Sequence, residues 1–331
     1  MIAKESSTVL LNYQLILNQF EKYLNKNKPT GAPEYLYEAS NHILQSKGKR
    51  IRPMLCLLSG EMFGTEIEKL MPAGLAVELY HNSTLVHDDI MDNALLRRSK
   101  PTTHTIYGNS NAINAGNLLT NLAYQSISKY PEKIYFKLMQ EFNKVCIEII
   151  EGQAMDIHFE TAENVSKNEY LEMIKLKTSV LLASSCKMGA IIAEATTENQ
   201  EKAYQFGLNL GLSFQLKDDY LDAFGEADLV GKKRGGDILQ NKKTLLAIET
   251  ISLANSTDLK KYHQYQNIEN EDDKVDAILE LMEKTGAKAK VELLMEEYFE
   301  KAMQYMLSIE LSDSRKADLR ELAHLIYHRE F

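Results

Sequence analysis

The sequence predicts an all-α protein. Only six prolines and sixteen glycines punctuate its 331 residues, so long segments lack the residues that interrupt helices. No stretch shows the alternation of strands with helices that a doubly wound sheet requires. With 44% hydrophobic and 26% charged residues, the chain is globular and long enough for one large domain or two small ones.

Charge and hydropathy exclude two broad classes of function. A formal net charge of −9 argues against a nucleic-acid-binding protein. No apolar stretch reaches the length that spans a membrane, and the N-terminal segment lacks a small-residue cleavage pattern, so we expect a cytoplasmic protein. Cys56, Cys146 and Cys186 are widely separated among apolar residues, which predicts buried free thiols rather than a zinc site or a nucleophile.

The first third of the chain predicts four helical regions, of which the second approaches Gly48. Apolar residues at three- and four-residue spacing predict a helix over 7–24, and the prolines and glycine within 29–33 predict a turn after it. The basic segment 48–53 ends in a proline, which indicates the boundary where another helix starts. A long apolar helix is then predicted over 68–92.

The rest of the chain continues the helical pattern. Helices are predicted over 110–129 and 132–158, and charged amphipathic helices from residue 241 onward. Two capping boxes indicate two further helix starts. They are Ser166 with Glu169, and Thr197 with Gln200, the second before a helix that runs to about residue 224.

The stretch 81–98 carries the first chemical motif. Asp88 and Asp92 are four residues apart, so a helix places them on one face, about 6 Å from each other along its axis. Two such carboxylates repel each other unless a cation sits between them, and hard carboxylate oxygens are what magnesium prefers. Arg97 and Arg98 follow, with planar donor forks that suit phosphate oxygens. Together these residues suggest a diphosphate ligand.

The same aspartate spacing occurs twice more. The second copy follows an apolar helical run and consists of Asp218, Asp219 and Asp222. A stretch of cations and glycines at 230–244 follows it and could close over phosphate. The third copy consists of Asp272, Asp273 and Asp276, and it opens an amphipathic helix. Because acidic residues favour the positive end of a helix, we interpret the third copy as a solvated helix start.

Seven motifs occur in order along most of the chain. They are GKRIRP at 48–53, HDDIMD at 87–92, RR at 97–98, EGQAMD at 151–156, KT at 177–178, FQLKDDYLD at 214–222, and GK with NKKT within 231–244. In these motifs the chain resembles the trans-isoprenyl diphosphate synthases, also called polyprenyl synthetases. The resemblance implies the isoprenoid synthase fold over a single domain, 1–331, with a helical bundle around a deep central cavity.

The resemblance also implies an activity. It predicts a head-to-tail prenyltransferase that condenses isopentenyl diphosphate with allylic diphosphates, depends on magnesium with three ions per active site, and forms a homodimer. Asp88, Asp92 and Asp218 are implied as metal ligands, and with Lys177 and Arg97 they form the catalytic set. Isopentenyl diphosphate is assigned to Lys49, Arg52, His81 and Arg98. The allylic diphosphate is assigned to Arg97, Lys177, Thr178, Phe214, Gln215, Lys232 and Lys242.

By resemblance, further residues support the metal ligands and the substrate-binding residues. Two features also have ordinary structural explanations. The supporting set is Asp89, Gln153, Asp156, Asp219 and Asp222. Taken alone, a basic turn such as 48–53 is more often solvated surface, and a lone histidine more often belongs to the core. Arg329 is left out of the set, although it could reach isopentenyl diphosphate in some relatives.

Three positions depart from the family pattern. Lys47 stands where a second glycine is usual, Ser99 stands where glycine precedes a proline-containing turn, and Asn117 stands where many members have aspartate. They leave both aspartate pairs intact, yet they limit the transfer of loop geometry.

Product length is assigned to residues below the first aspartate pair on its helix. Ser83 and Thr84 lie just over one turn before Asp88, and Tyr80 and Val77 lie roughly 12 and 16 Å before it. By resemblance, a bulky aromatic at the position of Ser83 or Thr84 stops growth at the fifteen-carbon product, and both are small here. Tyr80 is then the first large side chain, which favours the twenty-carbon geranylgeranyl diphosphate. A farnesyl or a longer-chain synthase is the alternative.

Two rival functions stay open. A class I terpene cyclase uses a similar first aspartate motif, but its second motif carries Asn, Ser and Glu, and it does not need the Lys49 and Arg52 site. A non-catalytic synthase subunit would be expected to lose one aspartate motif. Both motifs are intact, so the sequence favours chain elongation.

Overall fold

The computed structural model describes residues 2–46, 48–225 and 234–328, with side chains from residue 12 onward, and it confirms the all-α prediction. The helices of the first half are α1 (Ile2–Lys26), α2 (Glu34–Leu44), α3 (Ile51–Met62), α4 (Ile67–Met91), α5 (Thr103–Tyr107), α6 (Asn109–Ile127) and α7 (Glu132–Thr161). Strands β1 (Leu96–Arg97) and β2 (Lys100–Pro101) form a short antiparallel hairpin between α4 and α5.

The second half is helical as well. Its elements are α8 (Lys167–Ile174), the π-helical turn π1 (Lys175–Ser179), α9 (Val180–Ile192), α10 (Thr197–Phe224), α11 (Gly236–Leu239), α12 (Leu245–Leu253), α13 (Ser256–Tyr265), α14 (Glu271–Thr285), α15 (Ala287–Leu307) and α16 (Asp313–Tyr327). In the described ranges no helix is both long and apolar enough to cross a membrane.

The chain divides into two compact units. The first unit comprises Met1–Asn143, Ser184–Tyr204 and Leu311–Glu321. The second unit comprises Lys144–Ala183, Gln205–Glu310 and Leu322–Phe331. Both the single domain over 1–331 and the central cavity stay predictions.

Close helix packing in the first unit depends on three glycines. An added Cβ at Gly60 would lie 2.3 Å from a Leu70 methyl group, and one at Gly189 would lie 2.3 Å from the Cys56 carbonyl oxygen. A Cβ at Gly74 would lie 3.3 Å from the ring of Phe20, which is fully buried. Helices α1, α3, α4 and α9 therefore approach one another at positions without side chains. The prediction of buried thiols outside disulfides is confirmed in both units, since Cys56, Cys146 and Cys186 are all buried and none forms a disulfide.

The predicted helix starts are confirmed in part. Ser166 and Glu169 form the expected capping box of α8. The second box is wrong: α10 begins at Thr197, and the Asn199 amide donates to the Thr196 hydroxyl at 3.2 Å. Thr196 can cap the helix because it stands one residue before the first helical turn, as a capping residue must.

The third aspartate copy is a helix start, as predicted. The Asn270 side chain accepts hydrogen bonds from the amides of Asp272 and Asp273, and both aspartates are exposed in the first turn of α14. Their charges therefore complement the free amides of that helix end.

Candidate functional site

The first aspartate pair lies at the C-terminal end of α4. Asp88 belongs to its last turn and Asp92 caps it, and the Asp92 amide donates to the Asp88 carbonyl at 2.8 Å. This bond preserves the four-residue spacing, so both side chains leave the helix end on one side. Asp92 is exposed and Asp88 half-buried, whereas Asp89 between them is buried. The pair is thus open to a ligand and Asp89 faces inward.

Asp89 binds the first of the two arginines that follow. Arg97 Nε donates to Asp89 Oδ1 at 2.7 Å, and the Asp89 side chain is 1% exposed. The other oxygen, Oδ2, is buried without a hydrogen-bond partner among the described residues. Burial raises the pKa of Asp89, and the guanidinium offsets part of that rise. Because this bond uses Nε, both terminal nitrogens of Arg97 have donors that can bind an anion.

The second arginine lies at the tip of the hairpin. Arg98 and Ser99 connect β1 to β2 with positive φ values of 53° and 61°. Arg98 Nη1 donates to the Ser46 carbonyl at 3.4 Å. An added Cβ at Gly48 would lie 2.9 Å from the same nitrogen. The hairpin therefore places the Arg98 guanidinium close against the main chain of the GKRIRP segment, where a side chain at position 48 would displace it.

His81 joins this group of cations from α4. Arg52 Nη1 lies 3.1 Å from His81 Nε2, and since a guanidinium has donors alone, the histidine accepts in its neutral form. Burial first, and then the charges of Arg52 and three other arginines, hold the pKa of His81 well below its usual value. Those three are Arg98, Arg97 and Arg50. The first unit therefore gathers the charge density that an anionic ligand requires.

One member of the group was missed by sequence reasoning. Arg50 stands between the predicted ligands Lys49 and Arg52, but its side chain is buried against Glu78 and Glu21 at 2.5 and 2.8 Å. The signal was present in part, because Glu78 lies one helical turn before His81 on the predicted helix. Glu21 belongs to α1, and its contact with Arg50 depends on tertiary packing that spacing does not reveal.

The residues assigned to product length line one face of α4 in the first unit. Val77, Tyr80 and Ser83 are buried, and Thr84 is half-buried. The Ser83 hydroxyl lies 2.7 Å from that of Thr120 on α6. Ser83 therefore packs in the seam between two helices.

Tyr80 is held by aromatic neighbours. Its ring meets that of Phe142 edge to face at a centroid distance of 5.5 Å, and Phe142 meets Tyr124 likewise at 5.1 Å. Phe142 is fully buried. Edge-to-face pairs of this kind stabilise one ring orientation, so Tyr80 has little room to swing aside.

The second aspartate motif lies near the end of α10, in the second unit. Asp219 accepts from the Tyr170 hydroxyl and, at 3.0 Å, from the Gln215 amide, while the Thr178 hydroxyl donates to Gln215 Oε1 at 2.9 Å. Burial, and then the nearby Asp237, raise the pKa of Asp219 to about 8. The supporting residue of this motif is thus held by neutral donors in a chain of hydrogen bonds.

Asp222, the last aspartate of the motif, anchors the segment that follows. Its carboxylate accepts from the Asp237 amide at 2.8 Å, and its carbonyl accepts from Gly235 at 2.7 Å. Lys242 Nζ lies 3.2 Å from Asp237 Oδ1. Asp222 therefore positions the turn that leads to Lys242, and its role in support of the site stays a prediction.

The π-helical turn presents Lys177 and Thr178 to different partners. Lys177 Nζ donates to Asp156 Oδ2 on α7, and Thr178 bonds Gln215 on α10. An added Cβ at Gly152 would lie 2.3 Å from the Lys177 amide, and one at Gly211 would lie 2.6 Å from Ser179 Cα. The widened turn therefore fits because both neighbouring helices lack a side chain where it passes.

The predicted site residues divide between the two units. The first unit contains Lys49, Arg52, Val77, Tyr80, His81, Ser83, Thr84, Asp88, Asp89, Asp92, Arg97 and Arg98. The second contains Gln153, Asp156, Lys177, Thr178, Phe214, Gln215, Asp218, Asp219, Asp222 and Lys242. Lys232, Lys47 and Arg329 lie outside the described residues.

The donor sets fit magnesium. In the described part of the chain no group of three or more histidine, cysteine or carboxylate side chains could enclose a metal ion. Magnesium, however, keeps several waters and is usually bound by one or two carboxylates together with substrate phosphates. Asp88 with Asp92, and Asp218 with its neighbours, supply all-oxygen donors of that kind.

Comparisons with known proteins all identify relatives among the prenyl diphosphate synthases. The family model described as polyprenyl synthetase matches residues 33–283. A geranylgeranyl diphosphate synthase of Methanosarcina mazei is 41% identical over 226 residues, which cover 67% of this chain and 69% of that protein. A geranylfarnesyl diphosphate synthase of Natronomonas pharaonis is 35% identical over 244 residues, covering 68% of this chain and 71% of that protein.

A solved structure resembles nearly all of the chain. The crystal structure of a geranylgeranyl pyrophosphate synthase superposes with a TM-score of 0.92 at 36% identity, and the match covers 96% of this chain and 99% of that one. The fold of this chain is therefore one that such synthases share.

Proposed function

This chain belongs to the polyprenyl synthetase family, and we propose that it is a magnesium-dependent head-to-tail prenyltransferase. It condenses isopentenyl diphosphate with allylic diphosphates, and its main product is all-trans geranylgeranyl diphosphate. The observation that carries the proposal is the pair of aspartates at the end of α4, with Arg97 held beside them by Asp89. Carboxylates for a metal and a guanidinium for a phosphate occur together there.

The cationic group of the first unit is assigned to isopentenyl diphosphate. Arg52 keeps its orientation through neutral His81, and Arg98 is seated against Gly48. Lys49 completes the set. These cations bind the diphosphate and leave the double bond of the substrate free to attack.

The allylic diphosphate is assigned to residues that the chain holds in fixed orientations. Asp89 aims Arg97 in the first unit, and Asp156 holds Lys177 in the second. The remaining assigned residues are Thr178, Phe214, Gln215, Lys232 and Lys242. Asp88, Asp92 and Asp218 would hold magnesium, which would supply neutralisation of the departing pyrophosphate.

The chemistry needs protection from water once the allylic carbon–oxygen bond breaks. The resulting allylic cation would react with water in an open site. The buried face of α4 with Val77 and Tyr80, backed by Phe142, supplies an apolar wall for the growing chain. By resemblance to the family, we assign loss of the final proton to the departing pyrophosphate.

The product assignment has one specific competitor. Ser83 and Thr84 are small, so among the residues assigned to product length Tyr80 is the first large side chain that could act as a floor. This arrangement supports a twenty-carbon product. The geranylfarnesyl synthase of Natronomonas pharaonis is also a relative, and a product one isoprene unit longer is therefore the second candidate.

The partner that we propose is a second copy of the chain. Helix α7 exposes Phe136, Ile147, Ile150 and Ile157, whose side chains are between 43% and 66% exposed. Their spacing of eleven, three and seven residues places them in one stripe of the kind that packs helix against helix. Ile150→Glu should shift the protein from dimer to monomer in light scattering, and an unchanged mass would contradict this assignment.

Product analysis tests the activity. The protein is incubated with isopentenyl diphosphate and each allylic primer, with and without Mg²⁺, and product chain length is measured by mass spectrometry. We expect elongation only with Mg²⁺, ending mainly at the twenty-carbon diphosphate. Cyclised hydrocarbon instead of longer diphosphates would favour the terpene cyclase, and no turnover of any primer would favour the non-catalytic subunit.

A further inference from the structure

Arg50 differs from its two cationic neighbours. Its side chain is 4% exposed, and every arm of its guanidinium is used. Nε donates to Glu21 Oε1 at 2.8 Å, Nη1 to Glu78 Oε1 at 2.5 Å, and Nη2 to the Leu44 carbonyl at 3.2 Å. The three acceptors come from α1, α4 and the end of α2. Arg50 therefore ties the segment that it belongs to, 48–52, to three helices at once.

Its main partner is a buried carboxylate. The Glu78 side chain is 3% exposed and also accepts from the Asn82 amide at 2.8 Å. A buried carboxylate is costly unless a charge compensates it. Although burial lowers the pKa of Arg50, Glu78 and Glu21 outweigh that effect and raise it, so the guanidinium stays charged. Glu78 is thereby compensated inside the fold.

The main chain at Arg50 is held in an unusual conformation. Arg50 has φ 50° and ψ 32°, in the left-handed region that non-glycine residues rarely adopt, and it immediately precedes α3. Such a conformation persists where the surroundings over-determine it. The three side-chain bonds provide that constraint. The reversal at Arg50 also sets the directions of Lys49 before it and Arg52 after it.

The same segment forms the seat of Arg98. An added Cβ at Gly48 would lie 2.9 to 3.3 Å from the terminal atoms of the Arg98 guanidinium. A shift of the main chain at Arg50 would therefore reach Gly48 and disturb Arg98 as well. Three of the four residues assigned to isopentenyl diphosphate, Lys49, Arg52 and Arg98, depend on this one segment.

We propose that Arg50 is a positioning residue for isopentenyl diphosphate. Its forked side chain fixes segment 48–52, so that Lys49, Arg52 and Arg98 meet the diphosphate in one arrangement. By compensating Glu78, it also keeps that carboxylate from drawing Arg52 or Arg98 away from the ligand. The proposal rests on the proposed function, because it names a role within that function's isopentenyl diphosphate site.

A purely structural ion pair is the competing explanation, and it makes a different prediction. A structural pair would lower the free energy of unfolding when weakened and would leave the two Michaelis constants in their original ratio. A positioning residue should change KM for isopentenyl diphosphate selectively. The ratio of the two KM values therefore separates the explanations.

Arg50→Lys is the main test. Lysine keeps the charge beside Glu78, so the buried carboxylate remains compensated, but one ammonium cannot replace a planar fork that reaches three acceptors. We expect KM for isopentenyl diphosphate to rise roughly tenfold to a hundredfold, as misplaced binding groups do elsewhere. KM for the allylic primer and kcat should change less than twofold.

Two further variants keep the test decisive if Arg50→Lys folds poorly. Glu21→Ala removes one of the three acceptors of the Arg50 guanidinium, at a side chain that is 37% exposed. It should raise KM for isopentenyl diphosphate by a smaller factor than Arg50→Lys does. Glu141→Gln is the matched control. Glu141 is another buried carboxylate with one cationic and one neutral partner, Lys187 Nζ at 2.8 Å and the Ser184 hydroxyl at 2.6 Å. It should lose stability without changing the ratio of KM values.

The outcomes separate the inference from the proposed function. If the unmodified protein does not condense the two substrates, the proposed function fails. If it does, and Arg50→Lys and Glu21→Ala change both KM values equally or not at all, Arg50 is structural and the positioning role is overturned. A selective rise in KM for isopentenyl diphosphate, absent in Glu141→Gln, supports it.

Discussion

The two aspartate motifs share the DDxxD pattern, but the residues around them carry different charges. In the first, the buried Asp89 is paired with the guanidinium of Arg97, and arginines surround the nearby His81. In the second, Asp219 is held by the uncharged Tyr170 and Gln215, and Asp237 adds a further negative charge. Burial raises the pKa of both aspartates, and at Asp89 the guanidinium of Arg97 offsets part of the rise.

This difference shows what a motif determines and what it leaves to the fold. The spacing of the three aspartates fixes which carboxylates share a helix face. It does not fix the charge around them, because that charge comes from other elements. The first region can attract an anion with its own arginines. Around Asp219 in the second motif, the nearby Asp237 adds negative charge, so we expect metal binding to matter more there.

The largest effect should come from the outward carboxylates of either motif. Asp88→Ala and Asp218→Ala should each reduce turnover on the order of a thousandfold or more, because neutralisation of the leaving group is lost with the metal. Turnover is measured at saturating substrates and Mg²⁺. Asp272→Ala is the control and should leave turnover unchanged, and a comparable loss there would refute the interpretation of the third copy as a helix start.

Product length should depend on the face of α4 below the first aspartate pair. Tyr80→Ala opens the wall below Asp88 and should lengthen the product by one or more isoprene units. Phe142→Ala removes the ring that supports Tyr80 and should lengthen it to a smaller extent. Ser83→Phe should shorten the product, since a ring replaces a hydroxyl that now bonds Thr120. Product distributions are compared by mass spectrometry.

The control for product length lies in the other unit. Phe206 is also almost fully buried, and it lies in the second unit. Phe206→Ala should cost stability without altering product length. If neither Tyr80→Ala nor Ser83→Phe changes the distribution, another part of the chain limits growth.

The sequence predicted most of what lies within single helices. The course of α4, the outward pair Asp88 and Asp92, and the helix start at Asp272 follow from periodicity and spacing, which act over a few residues. The sequence did not predict the ion pairs that Asp89 and Arg50 form. Their partners, Arg97 and Glu78, are eight and twenty-eight residues away, so these contacts depend on how the chain folds back.

Stability at low pH should respond to the cationic surroundings of the first region. Because the pKa of His81 is well below its usual value, the folded protein keeps this side chain neutral while the unfolded chain takes up a proton below about pH 6.5. The contribution of neutral His81 to the free energy of unfolding is therefore full above that pH and is lost as the pH falls. Urea unfolding of the apoprotein at pH 7.5 and 5.5 measures it.

The matched variant for this prediction is His81→Gln. Glutamine can still accept from Arg52 but does not titrate, so the loss of stability between pH 7.5 and 5.5 should be smaller than in the unmodified protein. An equal loss in both proteins would show that other groups account for the acid sensitivity.

The smallest effect concerns the turns that follow the two motifs. Ser99 occupies the left-handed region at φ 61°, whereas Gly235 holds a similar position after the second motif at φ 76°. Left-handed conformations cost a non-glycine residue roughly 1–2 kcal/mol, and the flexibility of glycine in the unfolded chain returns about half of that. Ser99→Gly should therefore raise the free energy of unfolding by about 0.5–1 kcal/mol in urea titrations.

Gly235→Ala should lower the free energy of unfolding, because its Cβ would lie 2.8 Å from two Val275 methyl groups. Ser128→Gly is the control at a right-handed position with φ −65°, and it should be neutral or destabilising. Stabilisation by Ser128→Gly as large as that by Ser99→Gly would mean that backbone strain at the hairpin is not the cause.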